Sequence, residues 1–310
     1  MPWTDPWNEK EWSDFDHCKT EMQGEVDDPA GYCSKSHKEA TGRWPSEGKM
    51  ETLLAASLDR KARTLRFAVV SDSHWGSNRH GDLGGPIEEV EDYEKTHEKA
   101  AETLNNIPDI DFLVCNGDQV SDDGDLHEEY KEQFLDELYV DDIYAAFGNH
   151  DWTTEPRWED LYGHPKDYYW ESDGFGFIIA GTGLVGSDDH GPSANADKTF
   201  IQEAIDDIDS DRIFGFQHIP PTTELQGGND MEAVREQWRR DPVEGVFVGH
   251  GHDDNSVHEI DGISFSKTEL IGNARVDVQR GVQIVDVYET KTVTRQEAIF
   301  GSETINEEEL

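Results

Sequence analysis

Cysteine is scarce. Three residues in 310, Cys18, Cys33 and Cys115, are too few for a disulfide framework, and no C-x-x-C spacing offers a structural zinc site. Cys115 lies in an apolar run and reads as a small core residue. Cys18 and Cys33 stand beside His17 and His37, but the spacing matches no familiar metal site, so surface and packing roles are expected for them. No apolar run approaches the ~20 residues that span a bilayer. The opening Met1-Pro2-Trp3-Thr4-Asp5-Pro6 has neither the charged and apolar regions of a signal peptide nor a twin arginine. The expectation is a soluble cytoplasmic protein with no membrane partner.

Basic residues are also few: 26 Lys and Arg stand against 69 Asp and Glu, a formal net charge of -43. The acidic residues run the whole length of the chain. This reads as a surface tuned to stay hydrated in concentrated salt, in preference to one polyanionic face for cations or basic partners. Screening at such ionic strength quenches most of the self-repulsion. The same charge disfavours nucleic acid as a partner at low salt. The expected result is a chain that loses structure in dilute buffer and regains it in molar KCl, followed by circular dichroism; a salt-independent unfolding curve contradicts salt adaptation.

What is abundant is a repeated grammar: an apolar run, then residues that handle protons or metals. Ile143–Phe147 breaks at Gly148 and delivers Asn149, His150 and Asp151. Leu65–Val70 runs into Asp72-Ser73-His74, and Phe112–Cys115 into Asn116-Gly117-Asp118. Ile213–Phe216 runs into Gln217-His218-Ile219-Pro220-Pro221, and Val246–Val248 into Gly249-His250-Gly251-His252. Each is read as a buried strand ending in a turn. Helices are expected over 87–106, 126–138, 198–208 and 231–239, and strands over 175–180, 263–267, 282–288 and 292–298. The alternation argues for α/β architecture, with 263–300 supplying a second, largely antiparallel sheet.

Residues 1–62 differ from the rest. They carry Trp3, Trp7, Trp12 and Trp44 among charges, prolines and glycines, which suits an arm laid against the main domain or a second subunit better than a disordered tail; 50–63 is a candidate helix. A main domain is expected over 63–300, and 301–310 reads as a frayed acidic tail. The aromatic stretch at Trp152, Trp158, Tyr162, Tyr168, Tyr169 and Trp170 is read as packing, with a substrate wall as the alternative.

Each motif alone is weak, but the ordered set D-x-H, G-D, G-N-H-D, H, G-H-x-H resembles the calcineurin-like metallophosphoesterase superfamily over about 65–290. The resemblance implies a four-layer α/β/β/α sandwich of two mixed β-sheets flanked by helices. It implies two divalent metal ions (Mn, Fe, Zn, Co or Ni) and hydrolysis of a phosphodiester or phosphomonoester by a metal-bridging hydroxide. Asp72, His74 and His252 would hold one ion and Asn149, His218 and His250 the other, with Asp118 between them. His150 would stabilise the phosphoryl oxygens or protonate the leaving group, a role suited to a group titrating near neutrality. Asp151 would orient His150 by hydrogen bonding.

The departures narrow the branch. No arginine follows G-D, against the Ser/Thr protein phosphatases. Ser121 stands where purple acid phosphatases place a tyrosine ligand. Gly117-Asp118-Gln119-Val120-Ser121-Asp122-Asp123-Gly124 with His218-Ile219-Pro220-Pro221 looks most like the class III cyclic-nucleotide phosphodiesterase branch. The expected partner is then a small phosphorylated substrate, a nucleotide among the candidates. Asn78, Arg79 and His80, in the loop after D-x-H, are candidate phosphate contacts. The rival readings are a nuclease of the same superfamily and a catalytically silent scaffold; the filled ligand positions weigh against the latter.

Overall fold

Parallel strands buried on both faces read as unbroken apolar runs, and here such runs form the middle of two sheets. The computed structural model describes residues 3–4, 11–12, 18, 22, 33, 63–76, 93–121, 123–182, 196–225, 231–252, 256–268, 270–272, 280–299 and 304–310. The chain divides into two compact units, Met1–Arg63 and Thr64–Leu310.

In the first unit β1 (Trp3–Thr4) pairs antiparallel with β2 (Glu11–Trp12), setting Trp3 opposite Trp12. Cys18 and Cys33 are both buried and form a disulfide with Cα atoms 6.0 Å apart. This corrects the surface and packing roles expected for them. With Cys115 alone on its strand, the remaining pair closes a 15-residue separation at an ordinary Cα spacing. Disulfides persist mainly in oxidising compartments, so the pair lends the cytoplasmic expectation no support. The helix expected over 50–63 lies outside the described residues except for Arg63, which opens a strand.

In the second unit, one sheet takes β3 (Arg63–Val70), β4 (Phe112–Asn116), β5 (Ile143–Ala146), β12 (Gly281–Tyr288), β13 (Thr292–Ala298) and β14 (Thr304–Glu309). Their order is β14-β13-β12-β3-β4-β5. The other takes β6 (Asp167–Ser172), β7 (Phe175–Ala180), β8 (Ile213–Phe216), β9 (Val243–Val248), β10 (Val257–Ile260) and β11 (Ile263–Lys267), in the order β10-β11-β9-β8-β7-β6. Both sheets are mixed: β3, β4 and β5 are parallel, as are β7, β8, β9 and β11, while the outer pairs β6–β7, β10–β11, β12–β13 and β13–β14 are antiparallel. The hairpins β6–β7 and β10–β11 turn at Asp173-Gly174 and Asp261-Gly262. All four residues have positive φ, as a two-residue turn matched to strand twist requires.

Side chains alternate between two apolar layers. Along β3, Leu65, Phe67 and Val69 point between the sheets, where Phe67 meets Phe112, Phe177, Phe214, Phe216 and Phe247. Ala68 and Val70 point the other way, into a core with Ala100 and Leu104 of α1 (Tyr93–Asn106), Leu126 and Tyr130 of α2 (Leu126–Gln133), and Trp158 of α3 (Trp158–Tyr162). On the far face of the second sheet, Ile178 and Val246 pack with Ile201 and Ala204 of α4 (Lys198–Asp207) and Trp238 of α5 (Glu232–Trp238). Three apolar layers between helix, sheet, sheet and helix make the expected four-layer sandwich. Among the described residues no helix is long and apolar enough to cross a membrane.

Three local expectations are corrected. Residues 263–267 do not belong with 282–298 in one antiparallel sheet: β11 runs parallel to β9 in the second sheet, because its apolar Ile263 and Phe265 join the layer under α4 and α5. The acidic C-terminus is not frayed, since β14 pairs with β13 and sets Arg295 opposite Glu307. The aromatic stretch supplies an unexpected strand, β6: Tyr168 packs in the inter-sheet core while Trp170 stacks on Tyr144, 4.0 Å between ring centroids. The Tyr168 hydroxyl also donates to the Ala145 carbonyl oxygen (3.2 Å) and accepts from the Ala145 amide (3.1 Å), tying β6 to the edge strand β5 across the sandwich.

Candidate metal centre

Parallel strands leave a sheet at the same edge, so β3, β4 and β5 bring Asp72, Asp118 and Asn149 together, and β8 and β9 bring His218 and His250 to face them. The turns are stitched to one another. Asp72 N donates to Gly117 O (3.1 Å), His74 N to Asp118 O (2.9 Å) and Gly249 N to His218 O (2.9 Å). The His250 amide reaches both oxygens of Asp72, at 3.2 and 3.1 Å.

These turns are strained where the ligands sit. Asp72, His74, Asp118, His250 and His252 have φ of 53°, 43°, 53°, 70° and 55°. For non-glycine residues such geometry costs about 1–3 kcal/mol each and persists where the surroundings over-determine it. Two glycines remove side chains that the site has no space for. A Cβ on Gly148 would lie 2.3 Å from both the amide N and Oδ1 of Asp118, and one on Gly249 would lie 2.0 Å from Ser71 Oγ.

Two donor clusters result. One ligand atom each from Asp72, His74, Asp118 and His252 lie within 4.8 Å of one another, as do those of Asp118, His218 and His250. Asp118 belongs to both. Asn149 joins by position: it is 8% exposed, and its Oδ1 is buried without a hydrogen-bond partner. Six of the seven residues read from the sequence as ligands thus fall in the two clusters, and Asn149 stands beside them in the chain, between Gly148 and His150. His150 stands beside them, its amide donating to Asp118 Oδ1 (2.8 Å) and its ring 4.9 Å from that of His74. Asn78, Arg79 and His80 lie outside the described residues.

The donor chemistry fits bound cations. The Asn116 carbonyl oxygen lies 2.7 Å from His218 Nδ1, which therefore carries the proton and donates it there. His218 Nε2 is left with a lone pair 2.9 Å from Asp118 Oδ2, yet neither atom makes a hydrogen bond. Two acceptors aimed at one point call for positive charge between them. Without a cation between them, that positive charge falls on the His218 ring itself. Burial would lower His218, but the Asp118 and Asp72 carboxylates outweigh it and push it up to about 10. Burial would raise Asp118 and Asp72, but the surrounding imidazoles hold both well below the usual carboxylate range. Burial pushes His74 down to about 3 and His250 to about 4, keeping both rings in the neutral form that ligates a metal.

Asp151 departs from expectation. It is fully buried, and its carboxylate accepts from the amides of Gly148 (2.8 Å), Asp118 (3.0 Å) and Gln119 (3.0 Å). It therefore joins the turn after β4 to the turn after β5 and does not orient the His150 ring. The reason is local: a 3-10 helix over Asn149–Arg157 turns Asp151 back beneath the turn, while His150 faces the site. Burial and the charge of Asp118 push Asp151 up to about 8, against the pull of its backbone donors.

Sequence reasoning missed several supports. Ser71 Oγ donates to Asp72 Oδ2 (2.5 Å) and lies 3.1 Å from Asn116 O. The Gln119 amide bridges Cys115 O (3.1 Å) and Ala146 O (2.9 Å), linking β4 to β5. Ser121 Oγ, at the position of the absent tyrosine, lies 3.3 Å from His74 Nδ1. Residues 270–272 extend the sheet beside Asp72, with Gly272 N donating to Asp72 O (3.2 Å). None of these carries a motif of its own; only the polar residues flanking the strand exits hinted at them.

Residues 65–254 match the family model for calcineurin-like phosphoesterases, and the chain belongs to that family. Its fold resembles a dimetal phosphatase from Danio rerio at 14% identity and a TM-score of 0.56, the match covering 79% of this chain and 99% of that one. It also resembles a purple acid phosphatase from yellow lupin (Lupinus luteus) seeds, at 13% identity and a TM-score of 0.57, with 78% of this chain aligned to 53% of the lupin chain. At these identities the likeness is one of fold. No curated protein matches the chain.

Proposed function

We propose that the protein is a di-metal phosphoesterase that hydrolyses small phosphodiesters or phosphomonoesters, a nucleotide among the candidate substrates. The observation that carries this reading is Asp118, a buried carboxylate shared by two donor clusters whose remaining members are all N or O ligands. Such donors suit Mn, Fe, Zn, Co or Ni.

When bound, a pair of divalent cations supplies the charge that polarises a phosphoryl group and acidifies water. Asp72, His74 and His252 are assigned to one ion, Asn149, His218 and His250 to the other, and Asp118 to both. The Asp151 carboxylate fixes the two turns carrying Asp118 and Asn149, so the clusters keep their spacing. His150 is the proton donor. As water oxygen bonds to phosphorus and the ester P–O bond breaks, its ring gives a proton to the departing oxygen, and the proton shed by the water passes to solvent, from which His150 is reprotonated. It is anchored through its amide to Asp118, half-buried and so accessible to substrate. Asn78, Arg79 and His80 are proposed to contact the phosphate.

The test is a screen of the Mn-loaded protein in molar KCl against bis(p-nitrophenyl) phosphate, p-nitrophenyl phosphate and cyclic AMP. Metal-dependent release of product from at least one is expected. A protein that takes up two ions and cleaves none of the three contradicts the assignment.

A further inference from the structure

Helix α2 carries polar side chains that the proposed reaction does not use, although they are fully buried beneath the metal centre. His127 and Tyr130 are both 0% exposed and stand three residues apart, on one face of the helix. Each reaches a different ligand-bearing turn.

The His127 side is a directed chain. Thr154 Oγ1 lies 2.5 Å from the Asp151 carbonyl oxygen and 2.9 Å from His127 Nε2. A carbonyl only accepts, so the one hydroxyl proton of Thr154 goes to it, and His127 Nε2–H must donate to Thr154. His127 Nδ1 is then the bare nitrogen and accepts from the Tyr162 hydroxyl at 2.6 Å. The chain Tyr162 to His127 to Thr154 to Asp151 has a single polarity. It ends on the residue whose carboxylate holds the amides of Gly148 and Asp118.

The Tyr130 side is shorter. Its hydroxyl donates to Cys115 Sγ (3.7 Å), which leaves it accepting from Ser73 Oγ (3.1 Å). Ser73 is the middle residue of Asp72-Ser73-His74, and both its neighbours are held at positive φ. Tyr130 thus grips a strained segment at its centre and ties it to β4.

We propose that His127 and Tyr130 are positioning residues of the metal centre: from one helix face, Tyr130 sets the turn bearing Asp72 and His74, and His127 sets the turn bearing Asn149. Helix α2 thereby fixes the separation of the two ion sites. The inference rests on the di-metal reading and deepens it.

The test is titration of the metal-free full-length protein with Mn²⁺ in molar KCl, by calorimetry and electron paramagnetic resonance, with melting temperature recorded alongside. Wild type is expected to bind two Mn²⁺ and give the spectrum of a spin-coupled pair. Tyr130→Phe and His127→Ala are each expected to weaken one of the two ions about 10–100-fold, the usual effect of losing a partner that orients ligands. The coupled spectrum should give way to that of an isolated ion. His127→Gln, which keeps an amide donor for Thr154, should recover most of the affinity. Tyr162→Phe removes one hydroxyl and serves should His127→Ala not fold. Variants that melt lower but bind two coupled ions with wild-type affinity would reduce α2 to a structural role and overturn the proposal. Wild type that binds a coupled pair but cleaves no ester sinks the proposed hydrolysis alone; wild type that binds no Mn²⁺ overturns both.

Discussion

Asp118→Asn is expected to release both ions and to bring hydrolysis below detection. Asp118 Oδ2 lies 2.9 Å from His218 Nε2 and 3.7 Å from His74 Nε2, so it faces both donor clusters at once. Replacing that oxygen with an amide nitrogen removes the charge. It also turns an N–H group towards the bare lone pair of His218, filling by hydrogen bonding the space a cation needs. Oδ1 still accepts from the His150 amide, so the turn keeps its path and the variant should fold. The measurement is metal content after dialysis, with melting temperature in the presence and absence of added Mn²⁺. Ions that bind only the native state raise the melting temperature of wild type by mass action. The variant should show no such rise, and two ions retained after dialysis would contradict the assignment.

His150→Gln separates chemistry from binding. The His150 ring belongs to neither donor cluster, so the variant should retain two ions. Turnover should fall by ~10²–10⁴, the range for loss of a positioned proton donor. The loss should be largest for substrates with poorly acidic leaving groups, which depend most on protonation, and smallest for p-nitrophenyl esters. Equal loss on both classes removes the proton-donor role, and unchanged turnover removes His150 from the reaction.

The strand exits were legible because their physics is local. A run such as Phe112–Cys115 is apolar throughout only because Phe112 and Val114 enter one buried layer and Leu113 and Cys115 another. The polar residue that follows then stands at a sheet edge. The ligand partition came from the family resemblance alone; the structure shows two donor clusters, Asp72, His74, Asp118 and His252, and Asp118, His218 and His250.

What stayed hidden depended on distant partners. The period-two pattern at Tyr168 and Trp170 is a strand signal, but glutamate, aspartate and exposed Tyr169 around it obscured β6. The glutamates of β14 read as a solvated tail until Arg295 and the rest of β13 are placed beside them. The sheet to which 263–267 belongs is decided by pairing with β9, which no local period encodes. Asp151 was read as a partner for its neighbour in sequence, whereas its hydrogen bonds run to amides 33 and 32 residues away as well as to Gly148.

The proposed centre places two neighbouring cations among seven side chains drawn from two sheets. Anomalous diffraction from crystals of the Mn-loaded protein tests this most directly. Two manganese peaks about 3.5–4 Å apart, both in contact with Asp118, are the predicted result. A single peak, or two that share no ligand, would contradict it.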